Sequence, residues 1–178
     1  NFVINMIEKH ILWNFIPKDI KYIILGSFYS KGLELNTGYD WYYGSKYNQL
    51  WRILEGVYEI PLKDKNSKIK LFNNLKIGFA DIIESCERKH NNSSDLNLTN
   101  ITYNYSIVDI LNESNILRVF FTSTFVELRF NKFFLPKLKP SLSTEFVKLP
   151  SPSPRYARIS LREKVRIYKH LLPKIFVN

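Results

Sequence analysis

Short apolar runs alternate with polar, glycine-containing stretches along the chain, and their spacing separates strands from helices. Strands are predicted where the apolar runs are short, at 21–25, 77–83, 116–121 and 145–149, and those at 21–25 and 116–121 are expected to be buried. Helices are predicted where apolar residues recur every three or four positions, at 2–13, 48–56, 68–75, 105–111, 125–134 and 159–172. Gly56 is expected to end the second of these helices. The polar stretches 28–47, 90–102 and 137–144 are predicted to be loops.

Strands that alternate with helices predict an α/β protein of three layers. A central, mostly parallel sheet of about four strands is expected, with helices on both of its faces. The chain has 178 residues, which is enough for one sizeable core, and no internal repeat or linker divides it. Residues 1–178 are therefore expected to form a single domain.

Three predicted strand ends carry residues suited to binding: GSFYS at 26–30, GFAD at 78–81 and LPSPS at 149–153. The carboxyl ends of parallel strands meet at one edge of a sheet, where ligands usually bind. The loop at 41–48 would add aromatic rings and amides to the same edge. Aromatic surfaces, a carboxylate and basic loops together indicate a pocket for a nucleobase extruded from a strand.

The segment 149–158, LPSPSPRYAR, is the most informative stretch. Its three prolines fix φ and remove backbone donors, so it is neither helix nor central strand. A stiff loop with serine hydroxyls and arginines is expected between the last strand and the last helix, where it suits an anionic ligand such as a phosphate backbone. The alternative is a proline-rich connector without function.

Composition favours a polyanionic partner and excludes several kinds of site. The net charge is +10, which fits nucleic acid but does not establish it. Cys86 is the single cysteine, so the chain has no internal disulfide and no cysteine-ligated iron–sulfur or zinc site. The three histidines are scattered without metal-ligand spacing, and no apolar run approaches the ~20 residues of a membrane span. We therefore expect a metal-free, intracellular protein that does not bind membranes.

Four segments resemble the uracil-DNA glycosylase superfamily, in particular its hypoxanthine-DNA glycosylase and mismatch-specific (thymine/uracil) branches. The 42–52 segment, YYGSKYNQLWR, is similar to the loop that leads into a helix in those enzymes, and GSF at 26–28 is similar to the opening of the hypoxanthine branch. The 77–88 segment, IGFADIIESCER, resembles the middle motif of that branch, and 149–158 resembles the DNA-binding loop. The match runs in the right order from about residue 22 to residue 172.

The resemblance implies the uracil-DNA glycosylase-like fold and hydrolysis of the bond between a flipped base and deoxyribose, without a metal or cofactor. Two positions depart from the superfamily pattern. Phe28 stands where the mismatch and thymine branches carry a water-positioning Asn, and Leu149 stands where the most active uracil enzymes carry a His. Both departures suggest slower chemistry with a different catalytic residue, or no catalysis.

Asn48 and Asp81 are the candidate catalytic residues. Asn48 matches the implied catalytic Asn of the hypoxanthine branch, at a helix start where its carbonyl could accept a hydrogen bond from water; the alternative role is an ordinary helix N-cap. Asp81 matches a base-reading Asn or Asp, and a carboxylate suits the ring N–H of hypoxanthine, xanthine or uracil. Asp81 could instead orient water or the cationic sugar, or be a cap or a solvent-facing carboxylate.

The remaining candidates divide into base-binding and DNA-binding residues. Ser27, Phe28, Tyr42 and Tyr43 are the base-binding candidates, although the aromatic rings could equally be structural. Arg155 aligns with the wedge residue that fills the gap in the duplex. The other DNA-binding candidates are Lys46, Ser151, Ser153 and Arg158.

The leading hypothesis is a monofunctional DNA glycosylase that removes uracil or hypoxanthine in base-excision repair. It would act as a monomer on double-stranded DNA with a damaged or mismatched base, in the cytoplasm (nucleoid) or in a eukaryotic nucleus. An additional abasic-site lyase step would need a lysine nucleophile, and Lys46 is close enough to the matched motifs to leave this alternative open. The alternatives are a DNA-binding protein with the same fold and degenerate chemistry, and a hydrolase of free nucleosides or nucleotides.

Overall fold

A computed structural model of the chain describes residues 7–12, 14–29, 41–89, 94–140 and 143–175. The strands are β1 Ile7–Lys9, β2 Tyr22–Gly26, β3 Ile77–Asp81, β4 Ile83–Arg88, β5 Leu98–Tyr103, β6 Arg118–Phe121 and β7 Glu145–Lys148. The helices are α1 Leu50–Tyr58, α2 Lys65–Leu75, α3 Ser106–Glu113, α4 Thr124–Phe133 and α5 Leu161–Leu171. Within these ranges the predicted strands and the helices after residue 48 are confirmed, with ends shifted by a few residues.

The central sheet has four strands in the order β3-β2-β6-β7. Every pair in it is parallel, so the carboxyl ends of all four strands lie along one edge. The predicted four-stranded parallel sheet is therefore confirmed. Its edge brings together the ends of strands that are far apart in sequence.

Two apolar cores cover the two faces of this sheet. Because side chains alternate along a strand, Ile24 of β2 points into one core and Ile23 and Leu25 point into the other. The first core is completed by residues of α1, α2 and α5, and the second by residues of α3 and α4. The predicted three-layer α/β architecture is confirmed.

A second, antiparallel sheet of three strands, in the order β1-β4-β5, was not predicted. The predicted strand 77–83 ends at Asp81, and the chain passes through Ile82 directly into β4 of the second sheet. The two sheets are thus joined by one residue. Asp81 lies at their junction.

The helix predicted at 2–13 is wrong where the structure describes it. Ile7–Lys9 forms β1, which pairs with β4 in the register Glu8 opposite Cys86. The apolar spacing predicted a helix with one buried face, but Ile7 is mostly exposed. Backbone pairing with β4 holds the segment instead. The rest of the predicted helix, 2–6 and 13, lies outside the described residues.

The loop predicted at 90–102 is also wrong over its second half. Leu98–Tyr103 forms β5, which pairs with β4 through register shifts. The asparagines of the segment indicated a loop, but its β-branched and aromatic residues favour a strand, and Asn100 takes a left-handed φ of 49°. Residues 90–93 lie outside the described ranges.

Gly56 does not end α1, contrary to the sequence expectation. The helix continues to Tyr58 and stops at Glu59, whose φ of 57° is left-handed. Gly56 faces α5 instead, because a Cβ there would lie 2.9 Å from a methyl group of Val165. This glycine is a close-packing residue rather than a C-cap.

Candidate functional site

The carboxyl edge of the central sheet opens into a cavity of about 410 Å³. It brings together nine residues singled out from the sequence: Ser27, Phe28, Tyr42, Tyr43, Asn48, Asp81, Ser151, Ser153 and Arg155. Residues from Ser27 to Arg155 along the chain thus enclose one space. Lys46 and Arg158 are not among the residues that line it.

Asp81 is buried at the wall of this cavity and pairs with a histidine. Its Oδ2 lies 2.7 Å from Nε2 of His10, and each side chain is 8% exposed. Backbone pairing explains the contact. β1 pairs with β4, and the His10 N–H continues this pairing by donating to the Glu84 carbonyl oxygen at 2.8 Å. Since β4 starts two residues after Asp81, the pairing brings His10 next to Asp81.

The other ring nitrogen of His10 has a fixed partner. Nδ1 accepts a hydrogen bond from the Leu12 backbone N–H at 3.1 Å, so it carries no proton. The neutral ring is then protonated at Nε2, which donates to the Asp81 carboxylate. The chain itself therefore sets the tautomer of His10.

Gly26 provides the space that Asp81 needs. The two residues are paired partners on β2 and β3, and a Cβ at Gly26 would overlap Oδ1 of Asp81. The same Cβ would lie 2.5 Å from the Tyr43 hydroxyl, which donates to Thr122 Oγ1 at 3.3 Å. Burial and, secondly, the Asp81 charge raise the pKa of Tyr43, so its hydroxyl remains a neutral donor.

Asn48 lies two residues before α1 at the cavity wall. Its Oδ1 accepts a hydrogen bond from the Leu50 N–H at 2.9 Å, a contact from a side chain to the backbone two residues later at the start of α1. The N-cap position itself is Gln49, whose side chain makes no cap hydrogen bond. The second lone pair of Asn48 Oδ1 and its amide N–H groups have no hydrogen-bond partner among the described residues.

The aromatic residues form the walls with different degrees of burial. Phe28 is half-buried and contacts His10 edge-on, with the ring centroids 5.8 Å apart. Tyr42 is buried, stacks on Phe79 and accepts the Trp51 indole N–H through its backbone oxygen, so it is mainly a core residue that borders the cavity. Phe28 therefore offers the freer aromatic surface.

Asp95 is a second carboxylate in the cavity, and the sequence analysis did not single it out. It accepts a hydrogen bond from the Ser27 hydroxyl at 2.9 Å. Burial is the main cause that raises the pKa of Asp95, and the nearby Asp81 charge raises it further, while the Ser27 hydrogen bond and the charge of Arg155 act in the opposite direction. The cavity thus contains two acidic side chains in different environments.

The proline-rich loop closes the cavity on the side of β7. Ser151 Oγ accepts the Ser153 N–H at 3.2 Å, and Ser153 Oγ accepts the Arg155 N–H at 3.3 Å. Both hydroxyls act as acceptors within the loop, which leaves their O–H groups available as donors. Arg155 is exposed at the rim.

A buried lysine of α5 anchors this loop by hydrogen bonds. Lys164 of α5 is 1% exposed, and its Nζ donates to Gln49 Oε1 at 2.8 Å and to the Ser153 carbonyl oxygen at 3.3 Å. Burial lowers the pKa of Lys164. Backbone and side-chain hydrogen bonds reinforce the attachment, from the Gln49 N–H to the Pro152 oxygen and from the Tyr168 hydroxyl to the Pro150 oxygen.

The two predicted DNA-binding residues outside the cavity lining are both exposed. Lys46 Nζ lies 4.9 Å from the ring centroid of Tyr47, which does line the cavity. Arg158 lies in the turn that precedes α5. The structure therefore places Lys46 beside the cavity mouth. Arg158 lies between the serine–proline loop and α5.

Sequence reasoning missed His10, Asp95, Thr122 and Lys164. Thr122 follows the carboxyl end of β6. The rule that the carboxyl ends of parallel strands meet at one edge of the sheet would therefore have predicted it. His10 and Asp95 reach the cavity through the antiparallel sheet, and no local pattern pairs His10 with Asp81, 71 positions away. Lys164 resembles an ordinary helix-surface lysine in sequence.

Within the described ranges, no group of three or more His, Cys, Asp or Glu residues is arranged to hold a metal ion. None of the helices in those ranges is long and apolar enough to cross a membrane.

Comparison with known proteins identifies the fold. No family model matches the chain, and no curated protein matches it. Among solved structures, it is similar to the solution NMR structure of a putative uracil DNA glycosylase from Methanosarcina acetivorans, with a TM-score of 0.68 and 21% sequence identity. The similarity covers 93% of this chain and 99% of the other. The chain has a uracil-DNA glycosylase-like fold.

Proposed function

We propose that this protein is a DNA glycosylase that hydrolyses the N-glycosidic bond of a flipped, deaminated base, uracil or hypoxanthine. The observation that carries the proposal is the single cavity that joins Asn48, Asp81 and the serine–proline loop at the carboxyl edge of the sheet. Its volume of about 410 Å³ falls within the ~300–1,000 Å³ typical of small-molecule sites. The fold shared with the putative uracil DNA glycosylase from Methanosarcina acetivorans adds support.

Hydrolysis adds the oxygen of a water molecule to C1′ of the sugar, the bonding electron pair leaves with the base nitrogen, and the proton that the water loses neutralises the departing base. Positive charge grows on the sugar and negative charge grows on the base. The site must therefore orient a water and hold the base. Asn48 is the candidate for the water, because its Oδ1 retains a lone pair beyond the one that accepts the Leu50 N–H.

The base would enter between Phe28 and the side chains at the cavity floor. Phe28 supplies a ring face for stacking, and the buried Asp81 supplies a carboxylate for the ring N–H of the base. The Tyr43 hydroxyl, which donates its proton to Thr122 Oγ1, adds a polar oxygen that can accept a hydrogen bond at the cavity wall. This set of groups suits a flat ring with hydrogen-bonding edges.

The rim suits a phosphate backbone. Ser151 and Ser153 present hydroxyl donors on a loop fixed by Lys164, and Arg155 is exposed beside them. Backbone contacts of this kind position a duplex without reading its sequence. The net charge of +10 would attract DNA over a longer range.

Water rather than lysine is proposed as the nucleophile. No lysine lines the cavity among the described residues, and the Nζ of Lys46 lies over the outer Tyr47 ring. A Schiff base with C1′ needs an amine within reach of the sugar. The enzyme is therefore proposed to be monofunctional and to leave an intact abasic site.

A lesion panel tests the proposal. Duplexes with a single uracil, hypoxanthine, xanthine or mismatched thymine are incubated with excess protein and then treated with alkali, which cleaves at abasic sites. Strand cleavage at uracil or hypoxanthine, seen only after alkali, is expected. Absence of cleavage with every duplex would contradict glycosylase activity, and salt-sensitive DNA binding without base release would identify a catalytically degenerate DNA-binding protein.

Two asparagine variants refine the panel. Asn48→Ala is expected to lower excision by about 100-fold or more at saturating protein, with DNA binding retained, because it removes a group proposed to orient the water. Asn74→Ala is the matched control, since Asn74 is exposed on α2, near its junction with the amino end of β3. Equal rates for the two variants would exclude Asn48 from the reaction.

A further inference from the structure

We propose that His10 is a positioning residue that fixes Asp81 as a hydrogen-bond acceptor, so that the site selects bases with a ring N–H. This inference rests on the proposed glycosylase function and specifies its substrate class. It starts from the buried contact between His10 Nε2 and Asp81 Oδ2, 2.7 Å long.

The direction of this hydrogen bond follows from the other side of the ring. The Leu12 N–H donates to His10 Nδ1, so the proton of the neutral imidazole is on Nε2. Nε2–H can only donate, and Asp81 Oδ2 must accept.

The second carboxylate oxygen is the one that remains for a ligand. Asp81 lines the cavity, and its Oδ1 lies beside Gly26, where a side chain would overlap it. Oδ1 has no hydrogen-bond partner among the described residues. A buried anionic oxygen without a partner favours a ligand that donates a hydrogen bond to it.

Deamination creates such a donor. Cytosine N3 and adenine N1 are ring nitrogens with lone pairs, which a carboxylate oxygen would repel. In uracil and hypoxanthine the same positions carry N–H groups, which a carboxylate accepts. A fixed acceptor therefore distinguishes the deaminated bases from cytosine and adenine. Guanine and thymine also carry a ring N–H, so this contact does not reject them.

Two substitutions separate the two hydrogen bonds of His10. The amide nitrogen of glutamine lies as many bonds from the backbone as histidine Nε2, so His10→Gln retains a donor toward Asp81. The amide oxygen of asparagine matches Nδ1 in the same way, so His10→Asn retains the acceptor for the Leu12 N–H and loses the contact with Asp81. If His10 acted only by accepting the Leu12 N–H, His10→Asn would be the milder of the two changes, because it retains that hydrogen bond.

The test measures single-turnover excision of uracil and hypoxanthine by the full chain and both variants, with thermal unfolding as the check on folding. We expect His10→Gln to stay within about threefold of the wild type. His10→Asn should lose at least about tenfold, the scale of one hydrogen bond to a charged group. Equal loss in both variants, or full activity of His10→Asn, would overturn the proposal.

A modified substrate gives a second readout that needs no variant. N3-methyluracil lacks the ring N–H, so the wild type should excise it at least about tenfold more slowly than uracil, and this ratio should shrink in His10→Asn. Equal excision of both bases by the wild type would overturn the proposal even if His10→Asn does not fold. Failure of the wild type to excise any base would instead refute the glycosylase function, and this inference with it.

Discussion

Gly26 and Asp81 are opposite each other on β2 and β3, so closely that a methyl group at Gly26 would overlap the Asp81 carboxylate. The Tyr43 hydroxyl would lie 2.5 Å from the same methyl group. The absence of a side chain at position 26 thus allows two polar groups to meet at the cavity floor. This close approach explains the glycine of the GSF sequence at 26–28.

Gly26→Ala is accordingly expected to displace Asp81 and Tyr43. We predict a loss of stability of about 1–3 kcal/mol from overpacking, together with at least about a tenfold loss of excision per folded molecule. Gly78→Ala is the matched control on β3, because its Cβ would lie 2.8 Å from the Phe15 carbonyl oxygen. It should lower stability while sparing excision. Thermal unfolding and single-turnover rates measure both effects, and equal excision by the two variants would contradict the prediction.

Lys164→Met is expected to weaken DNA binding several-fold. The substitution keeps a long apolar side chain in the buried site but removes the hydrogen bonds to Gln49 and to the loop at Ser153. Lys169→Met is the control on the same helix, with the same change in charge and an exposed side chain. Binding isotherms for an abasic duplex at two salt concentrations would measure the difference. Equal affinities of the two variants would show that Lys164 does not support the loop.

Asp95→Asn is expected to stabilise the protein at neutral pH. Burial raises the pKa of Asp95 in the folded state, so the folded protein binds the proton more tightly than the unfolded chain. Ionised Asp95 therefore disfavours folding above its folded pKa, and this cost disappears as the pH falls below the ordinary value of 3.8. Asparagine keeps an acceptor for the Ser27 hydroxyl.

Thermal unfolding at pH 7 and near pH 3 measures this effect. Asp95→Asn should have a higher Tm than the wild type at pH 7, and the difference should shrink at the lower pH. Asp19→Asn serves as the control, because Asp19 is exposed in the turn before β2. A lower Tm of Asp95→Asn at pH 7 would mean that the ionised carboxylate stabilises the fold.

Arg155→Ala is expected to affect duplex DNA more than single-stranded DNA. A wedge residue fills the gap that a flipped base leaves in a duplex, and a single strand has no such gap. We predict a loss of excision of about tenfold or more on duplex DNA and a small loss on single strands. Lys70→Ala, an exposed change on α2 with the same loss of charge, should leave both rates unchanged. Equal losses on the two substrates would identify Arg155 as a general electrostatic contact.

The parallel layer of the fold was predictable because its strands are short apolar runs separated by amphipathic helices. The antiparallel sheet was not, since its strands lack that pattern. β1 contains Ile7, which is exposed, and β5 contains Asn100 and follows other asparagines that indicated a loop. Pairing with β4, rather than burial of a regular apolar face, holds both strands. Gly56 was misread because close packing against α5 and helix termination both favour glycine.

The candidate site was predictable to the extent that it follows from parallel strands. Their carboxyl ends meet at one edge, and this rule correctly brought Ser27, Asp81 and Ser151 together. His10 and Asp95 arrive through long-range pairing in the second sheet, which no local spacing encodes.

A crystal structure of the protein bound to a duplex would test the central claim most directly. The duplex would carry 2′-fluoro-arabino uridine, or the corresponding inosine, whose fluorine slows cleavage of the glycosidic bond. We predict that the base lies in the cavity, stacked on Phe28, with its ring N–H within hydrogen-bonding distance of Asp81 Oδ1. A base that remains stacked in the duplex, or one bound away from Asn48 and Asp81, would contradict the account.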